Sequence, residues 1–92
     1  MFGYRRKAAA VAGLLRRSES HLTKVDLANV EELIKDRELE LAFEIMCDQI
    51  FEHEKPLTPE HFSEISEVGR LLLIPESLWD FLRELVGPDP LP

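Results

Sequence analysis

ELAFEIMCDQIFE, residues 40–52, carries the strongest helical pattern in the chain. Its acidic residues recur every four positions, at Glu40, Glu44, Asp48 and Glu52, with no lysine or arginine between them. At 100° per residue, these four side chains sweep an arc of roughly 120° on a helix. The broader opposite arc is apolar and is predicted to face the core; it holds Leu39, Ala42, Phe43, Met46, Cys47 and Ile50. The pattern predicts an amphipathic helix over about residues 38–54.

The acidic side of this helix also carries apolar residues. Leu41, Ile45 and Phe51 project within the acidic arc or at its edges. Like charges four residues apart repel by roughly 0.2–0.5 kcal/mol, so the three consecutive pairs cost about 1 kcal/mol. Three explanations are open: a solvated face, a surface that receives a basic partner protein, or pairing of the acids with Arg5, Arg6 or Arg17 of the first helix.

Helical patterns also cover the rest of the chain. The first runs from about Tyr4 to Arg17. The second runs from Thr23, which has Asp26 three residues on in the manner of a capping box, to about Asp36. The fourth begins in LTPEHF, residues 57–62, where a threonine can cap and a proline fits the first helical position. The fifth runs from Pro75 to the glycine at position 87. Within the fourth helix, a glycine at position 69 indicates close approach of a neighbouring helix.

These patterns predict an all-α fold, a compact bundle of about five short helices. The 92 residues suffice for one hydrophobic core, so residues 1–86 are assigned to a single helical domain. Residues 1–17 form a basic first helix that can be semi-independent of the rest, and residues 87–92 form a C-terminal coil tail. No apolar run approaches the roughly 20 residues of a membrane span.

Charge is distributed unevenly along the chain. The net charge is −7, yet residues 1–17 carry five basic groups and no acidic one. The remaining residues hold six basic and 18 acidic groups, a net charge of −12. A field of that sign repels nucleic acids and membrane surfaces and attracts basic partners. The first helix, whose basic residues gather around Phe2 and Tyr4, is the only candidate for nucleic-acid contact, and pairing with the acidic remainder of the chain is the favoured interpretation. We therefore expect no nucleic-acid and no membrane partner.

The single cysteine and the first residues bear on the compartment. Cys47 cannot form an internal disulfide and lies in the apolar arc, which is typical of a buried, inert thiol in a reducing compartment. The N-terminal apolar segment is only eight residues long and ends at Arg16 and Arg17 without a cleavage site of small residues. A cytoplasmic location is therefore expected, with an organelle transit peptide as the alternative.

The spacing of chemically reactive residues gives no sign of catalysis. His21, His53 and His61 lack the spacings of known metal motifs, and we expect them at the surface or at helix ends. Cys47 has no adjacent base, since His53 points to another side of the helix. The glycines are isolated and form no phosphate-binding loop. We therefore expect no enzyme activity, no cofactor and no metal.

Most of the chain resembles a known family. VEELI, residues 30–34, and the run RELELAFEIMCDQIFEHEKPLTPEHFSEISEVGRLLLI, residues 37–74, are similar to MafI-type immunity proteins of bacterial polymorphic toxin and contact-dependent inhibition systems. The resemblance covers about residues 26–86. Arg37 stands where the family pattern has a glycine. The features that carry the resemblance are Glu38, Ala42, Phe43, Glu44, Cys47, Asp48, Gln49, Glu52, Pro56 and Leu57.

The resemblance implies that the protein neutralises a toxin by tight stoichiometric binding in the cytoplasm of the producing cell. The partner would be the cognate C-terminal toxin domain, and many such domains are nucleases with basic substrate grooves. The partner-binding residues are then expected in the acidic side of the third helix: Glu40, Glu44, Asp48, Glu52, Leu41 and Phe51. The alternative is a helical adaptor or assembly protein that docks or is targeted through its basic first helix.

Overall fold

The computed structural model describes residues 2–87 and is built from four α-helices and three short 3-10 segments. The α-helices are α1 (Phe2–Arg17), α2 (Lys24–Lys35), α3 (Leu39–His53) and α4 (Pro59–Leu71). The 3-10 segments cover Glu19–His21, Glu76–Leu78 and Asp80–Leu85. No strand is present in residues 2–87, and the all-α prediction is confirmed. The predicted tail lies outside the described residues apart from its first residue, Gly87.

Local capping fixes where two helices begin. At α2, the Asp26 N–H donates to Thr23 Oγ1 and the Thr23 N–H donates to the Asp26 carboxylate, both at 3.0 Å, so the predicted capping box is confirmed. At α4, the Thr58 hydroxyl oxygen accepts from the His61 N–H at 3.0 Å, and Pro59 occupies the first turn. Each cap satisfies an N–H group that the helix itself leaves unpaired.

Helix α3 supplies much of the core and packs against both α1 and α2. All six residues predicted for its core face are buried: Leu39, Ala42, Phe43, Met46, Cys47 and Ile50. Helix α1 adds Val11, Leu14 and Leu15, of which the first two are fully buried. Its contacts reach α2, α3 and α4. Removing α1 would therefore remove part of the hydrophobic core, along with the basic residues.

The fifth predicted helix is instead a pair of 3-10 segments, with Trp79 between them. The Trp79 side chain is buried, and its Nε1–H donates to Ser66 Oγ at 3.1 Å. Its ring packs edge-on against Phe43, with centroids 6.1 Å apart. The close neighbour expected at Gly69 is present, but it is this indole ring. The prediction of one continuous helix was wrong here. The backbone is instead shaped by burial of the Trp79 indole against α4.

Three residues other than glycine follow helices in the left-handed conformation. Arg37 follows α2 with φ 65°, Glu54 follows α3 with φ 55°, and Leu73 follows α4 with φ 61°. Arg37 and Leu73 lie in Schellman motifs, whose hydrogen bonds from the turn to the last helical carbonyls measure 2.9–3.1 Å. The Arg37 guanidinium lies 5.2 Å from the centre of the Tyr4 ring, a cation–π contact that offsets part of the strain. Leu73 is 84% exposed, the most exposed large apolar residue of the described chain.

Replacing Leu73 with glycine is expected to raise the free energy of unfolding by about 0.5–1 kcal/mol. Relief of the left-handed strain stabilises the folded protein by roughly 1–2 kcal/mol. The greater conformational freedom of glycine in the unfolded chain offsets part of this stabilisation. Arg37→Gly is the matched comparison and should gain less, because it also removes the contact with Tyr4. Urea denaturation of the three proteins measures both effects. A less stable Leu73→Gly variant would contradict the assignment of strain.

No helix within residues 2–87 has both the length and the apolar character needed to cross a bilayer.

Candidate functional site

The acidic row of α3 consists of Glu40, Glu44, Asp48 and Glu52. Three of these residues are exposed and Glu44 is half-buried. Within residues 2–87, none of the four carboxylates has a lysine, arginine or histidine nitrogen within 4.0 Å. The mutual repulsion of the row is therefore not offset by ion pairs in the described part of the molecule.

The predicted pairing of the acidic row with Arg5, Arg6 or Arg17 of α1 is wrong, since none of these arginines lies within 4.0 Å of its carboxylates. Arg17 Nε instead donates to a carboxylate oxygen of Glu64 on α4, at 2.8 Å. Arg16 lies 4.0 Å from Glu19, just beyond its own helix. A solvated face and a partner-binding surface are the two explanations that remain for the acidic row.

The six residues expected to bind a partner do not lie in one compact patch. Glu40 lines a cavity of about 170 Å³ with Tyr4, Lys7 and Arg37, near the start of α1. Phe51, at the far end of α3, packs edge-on against Phe81 with ring centroids 5.2 Å apart. Helix α3 meets α2 through Gln49 and His53. At about 100° per residue, Glu40 and Phe51 lie on the opposite edge of α3, away from α2.

The remaining residues of that set form the middle of the acidic side. Leu41 is 44% exposed, and Glu52 and Asp48 lie on the same side of the helix, between the edge that carries Glu40 and the edge that meets α2. Ile45 is half-buried beside them and packs against the core. This part of α3 offers an aliphatic surface bordered by unpaired carboxylates.

A polar cluster fixes the edge of α3 against α2. Gln49 Nε2 donates to one oxygen of the Asp26 carboxylate at 3.0 Å, and His53 Nε2 donates to the other at 2.8 Å. Burial acts to raise the pKa of Asp26, but hydrogen bonds from Thr23, His53 and Gln49 outweigh it and lower the pKa below its usual value. The sequence showed only the capping box. The four-residue spacing of Gln49 and His53 was the available signal for a shared partner.

His61 lies at a helix end, which agrees with the prediction that the three histidines lie at the surface or at helix ends, but its side chain is buried. It is in the first turn of α4, and its Nε2 lies 2.8 Å from the fully buried Ser18 Oγ. Burial, together with the nearby His21 and Arg17, lowers the pKa of His61 to about 4, while Glu64 acts in the opposite direction. Sequence reasoning missed this pair because its members are 43 residues apart.

These buried groups are poorly placed for catalysis. The Ser18 hydroxyl has no exposed surface through which a substrate could reach it. Cys47 is fully buried, as predicted, and burial raises its pKa, with Asp48 and Glu44 adding to the effect. Within residues 2–87, no group of three or more histidine, cysteine or acidic side chains is arranged to hold a metal ion.

Comparisons with protein-family models, curated proteins and solved structures give no match to this chain. The functional interpretation therefore rests on the residues themselves and on their placement.

Proposed function

We propose that this protein is an immunity protein, similar to the MafI type, that binds and neutralises a cognate toxin domain in the cytoplasm. The observation that carries the proposal is the acidic side of α3, where Glu44, Asp48 and Glu52 are unpaired within residues 2–87 and share one side of the helix with the exposed Leu41. Charge of one sign accelerates association with an oppositely charged partner, and a few apolar anchors supply affinity. A basic toxin domain of the nuclease type has the complementary charge.

The proposal is tested by co-expression in a bacterial host. The toxin domain encoded immediately upstream should arrest growth, and this protein should restore growth and co-purify with that domain in a 1:1 complex. Absence of both rescue and complex would refute the immunity function. Because neutralisation by binding needs no turnover, rescue should require stoichiometric amounts of the protein.

Reversing two charges in the acidic row tests its part in binding. Glu44→Lys combined with Asp48→Lys should weaken binding to the toxin domain about tenfold, since two attractive contacts become repulsive. The variant should keep its helicity, because each introduced lysine would lie four residues from a remaining glutamate, Glu40 or Glu52. Each such pair replaces a repulsion by an attraction of roughly 0.2–0.5 kcal/mol.

The matched control for this experiment is Glu60→Lys with Glu67→Lys on α4. Both residues are exposed, and the double variant makes the same change in net charge away from α3. Binding is measured by calorimetry and helicity by circular dichroism. Equal affinities for the wild type and the α3 variant would exclude the row from the interface.

The adaptor alternative needs a test that leaves the core intact. Deleting residues 1–17 would also remove Val11, Leu14 and Leu15, which are buried. Arg5→Glu with Arg6→Glu is the better variant, because both side chains are exposed. The immunity proposal expects growth rescue to survive this change, whereas docking through the basic helix would be lost.

A further inference from the structure

An exposed aliphatic residue begins the outer side of α2. Val25 is 68% exposed, although it lies in the first turn of a well-capped helix. Steps of four, three and four residues place Asn29, Glu32 and Asp36 on the same side of the helix. All three are exposed as well. This side of α2 therefore resembles the acidic side of α3, because an aliphatic side chain and two carboxylates are exposed on it. The amide of Asn29 lies between Val25 and the two carboxylates.

The two sides lie next to each other. The hydrogen bonds from Gln49 and His53 to Asp26 hold α2 against one edge of α3. Leu27 and Ile34, on the other side of α2, line a groove with residues of α1. The Val25 side therefore faces away from α1 and continues the surface of α3. We call the combined surface the acidic–apolar face; it comprises Val25, Asn29, Glu32, Asp36, Leu41, Ile45, Asp48 and Glu52.

Within residues 2–87, no lysine or arginine belongs to this face, although Lys35, three residues from Glu32, lies at its border. Helix α3 contains no lysine or arginine. Lys24 and Lys35 of α2 lie roughly 160–180° around the helix from Asp26, on the side opposite α3. Arg37, in the turn between the helices, is directed to the ring of Tyr4 on α1. Within residues 2–87, no ion pair within 4.0 Å involves the acids of the face.

The charge of the face selects the kind of partner. The same face of a second copy, a nucleic acid and an anionic membrane would all bring negative charge against it. A surface with exposed aliphatic groups and several unpaired carboxylates is complementary to lysine or arginine side chains around aliphatic anchors. The exposed Val25 and Leu41 are the groups that such anchors would cover.

We propose that the acidic–apolar face, spanning α2 and α3, docks a basic amphipathic segment of the partner protein, with Val25, Glu32 and Asp36 as determinants in addition to those on α3. This inference rests on the proposed function and extends its interface to a second helix. It also names the chemistry of the bound segment, which presents an aliphatic stripe flanked by lysine or arginine.

The test uses a defined probe in place of the toxin. The ¹⁵N-labelled protein is titrated with a helical peptide of about 14 residues, four turns long, in which leucines form one stripe and lysines flank it. The control peptide has the same composition in scrambled order. Amide shifts are expected on both α2 and α3, centred on Val25, Glu32, Leu41 and Asp48, with weaker binding of the scrambled peptide.

Variants on α2 determine whether that helix takes part. Glu32→Lys with Asp36→Lys should reduce affinity for the striped peptide about tenfold, and Val25→Ser about threefold. Glu60→Lys with Glu67→Lys, the matched control on α4, should change it less than about twofold. Circular dichroism establishes that each variant remains helical.

The outcomes separate this inference from the proposed function. Shifts confined to α3, full affinity in the α2 variants, or no binding of the striped peptide would overturn the two-helix face, while growth rescue by the wild type would still support immunity. Conversely, if the striped peptide binds across both helices but growth is not rescued, the immunity function is refuted and the two-helix face stands. Self-association that is lost on Arg5→Glu with Arg6→Glu would identify a second copy as the occupant and overturn a foreign partner.

Discussion

Replacing Gly69 with alanine is expected to destabilise the protein by about 2 kcal/mol. A Cβ atom at this position would lie 2.5 Å from two carbons of the Trp79 ring. The ring is buried, packs on Phe43 and is held by its hydrogen bond to Ser66, so it cannot retreat without disturbing the core. Overpacking of this kind costs roughly 1–3 kcal/mol or more, and exceeds the gain of up to about 1 kcal/mol from the better helix propensity of alanine.

Gly13→Ala is the matched control for Gly69→Ala. Gly13 also lies inside a helix, but a Cβ there would meet no atom within 4 Å. The free energy of unfolding of that variant should rise by up to about 1 kcal/mol, since alanine favours the helix and its Cβ meets no neighbouring atom. Thermal and urea denaturation measure both. For a domain of this size, a loss of about 2 kcal/mol corresponds to a melting temperature lower by about 10 °C. Stabilisation by both substitutions would show that Trp79 does not occupy the site described.

Acidification from pH 7 toward pH 4 is expected to reduce stability by up to about 3 kcal/mol through His61 alone. In the unfolded chain this histidine has its ordinary pKa of 6.5, whereas burial and the nearby His21 and Arg17 lower its pKa to about 4 in the folded protein. Between these values the unfolded state binds a proton that the folded state does not. The contribution to stability is therefore complete above pH 6.5 and is lost as the pH falls toward 4.

The measurement is the free energy of unfolding in urea at several pH values from about 7.5 to about 4.5, a range that crosses the unfolded-state pKa of 6.5 and stays above the folded-state value of about 4. His61→Gln should show a much smaller pH dependence in this window, although it will be less stable at neutral pH because the contact with Ser18 changes. His53→Gln is the control, since it removes a different histidine and leaves the buried one in place. If His53→Gln flattens the pH profile and His61→Gln does not, the assignment to His61 is wrong.

Asp26 acts in a separate, more acidic range. The hydrogen bonds it accepts lower its pKa below the ordinary value of 3.8 despite the opposing effect of burial. Its contribution is present above that value and is lost only as the pH falls further, through the folded-state pKa. Asp26 therefore does not explain a loss of stability between pH 6.5 and about 4, the unfolded-state and folded-state pKa values of His61.

Much of the surface of α3 could be predicted from its own residues, but the neighbouring surface of α2 could not. Repetition at four-residue intervals placed Asp48 and Glu52 on the outside of the helix, and the structure finds them exposed. Val25 gave no such signal, because one valine in a first turn is equally compatible with burial. Its exposure follows from the direction in which α2 packs, with Val30 in the core and Asp26 hydrogen-bonded to α3.

By itself, the sequence determined the helical class, the starts of α2 and α4 and the core side of α3, because periodicity and capping act between residues at most four positions apart. The tertiary structure decided what depends on contacts distant in sequence. It placed the Trp79 ring against Gly69, buried His61 against Ser18 and paired Arg17 with Glu64. The physical reason is that burial and pairing depend on which helices meet, and a periodic pattern specifies the buried side of a helix without specifying its neighbour.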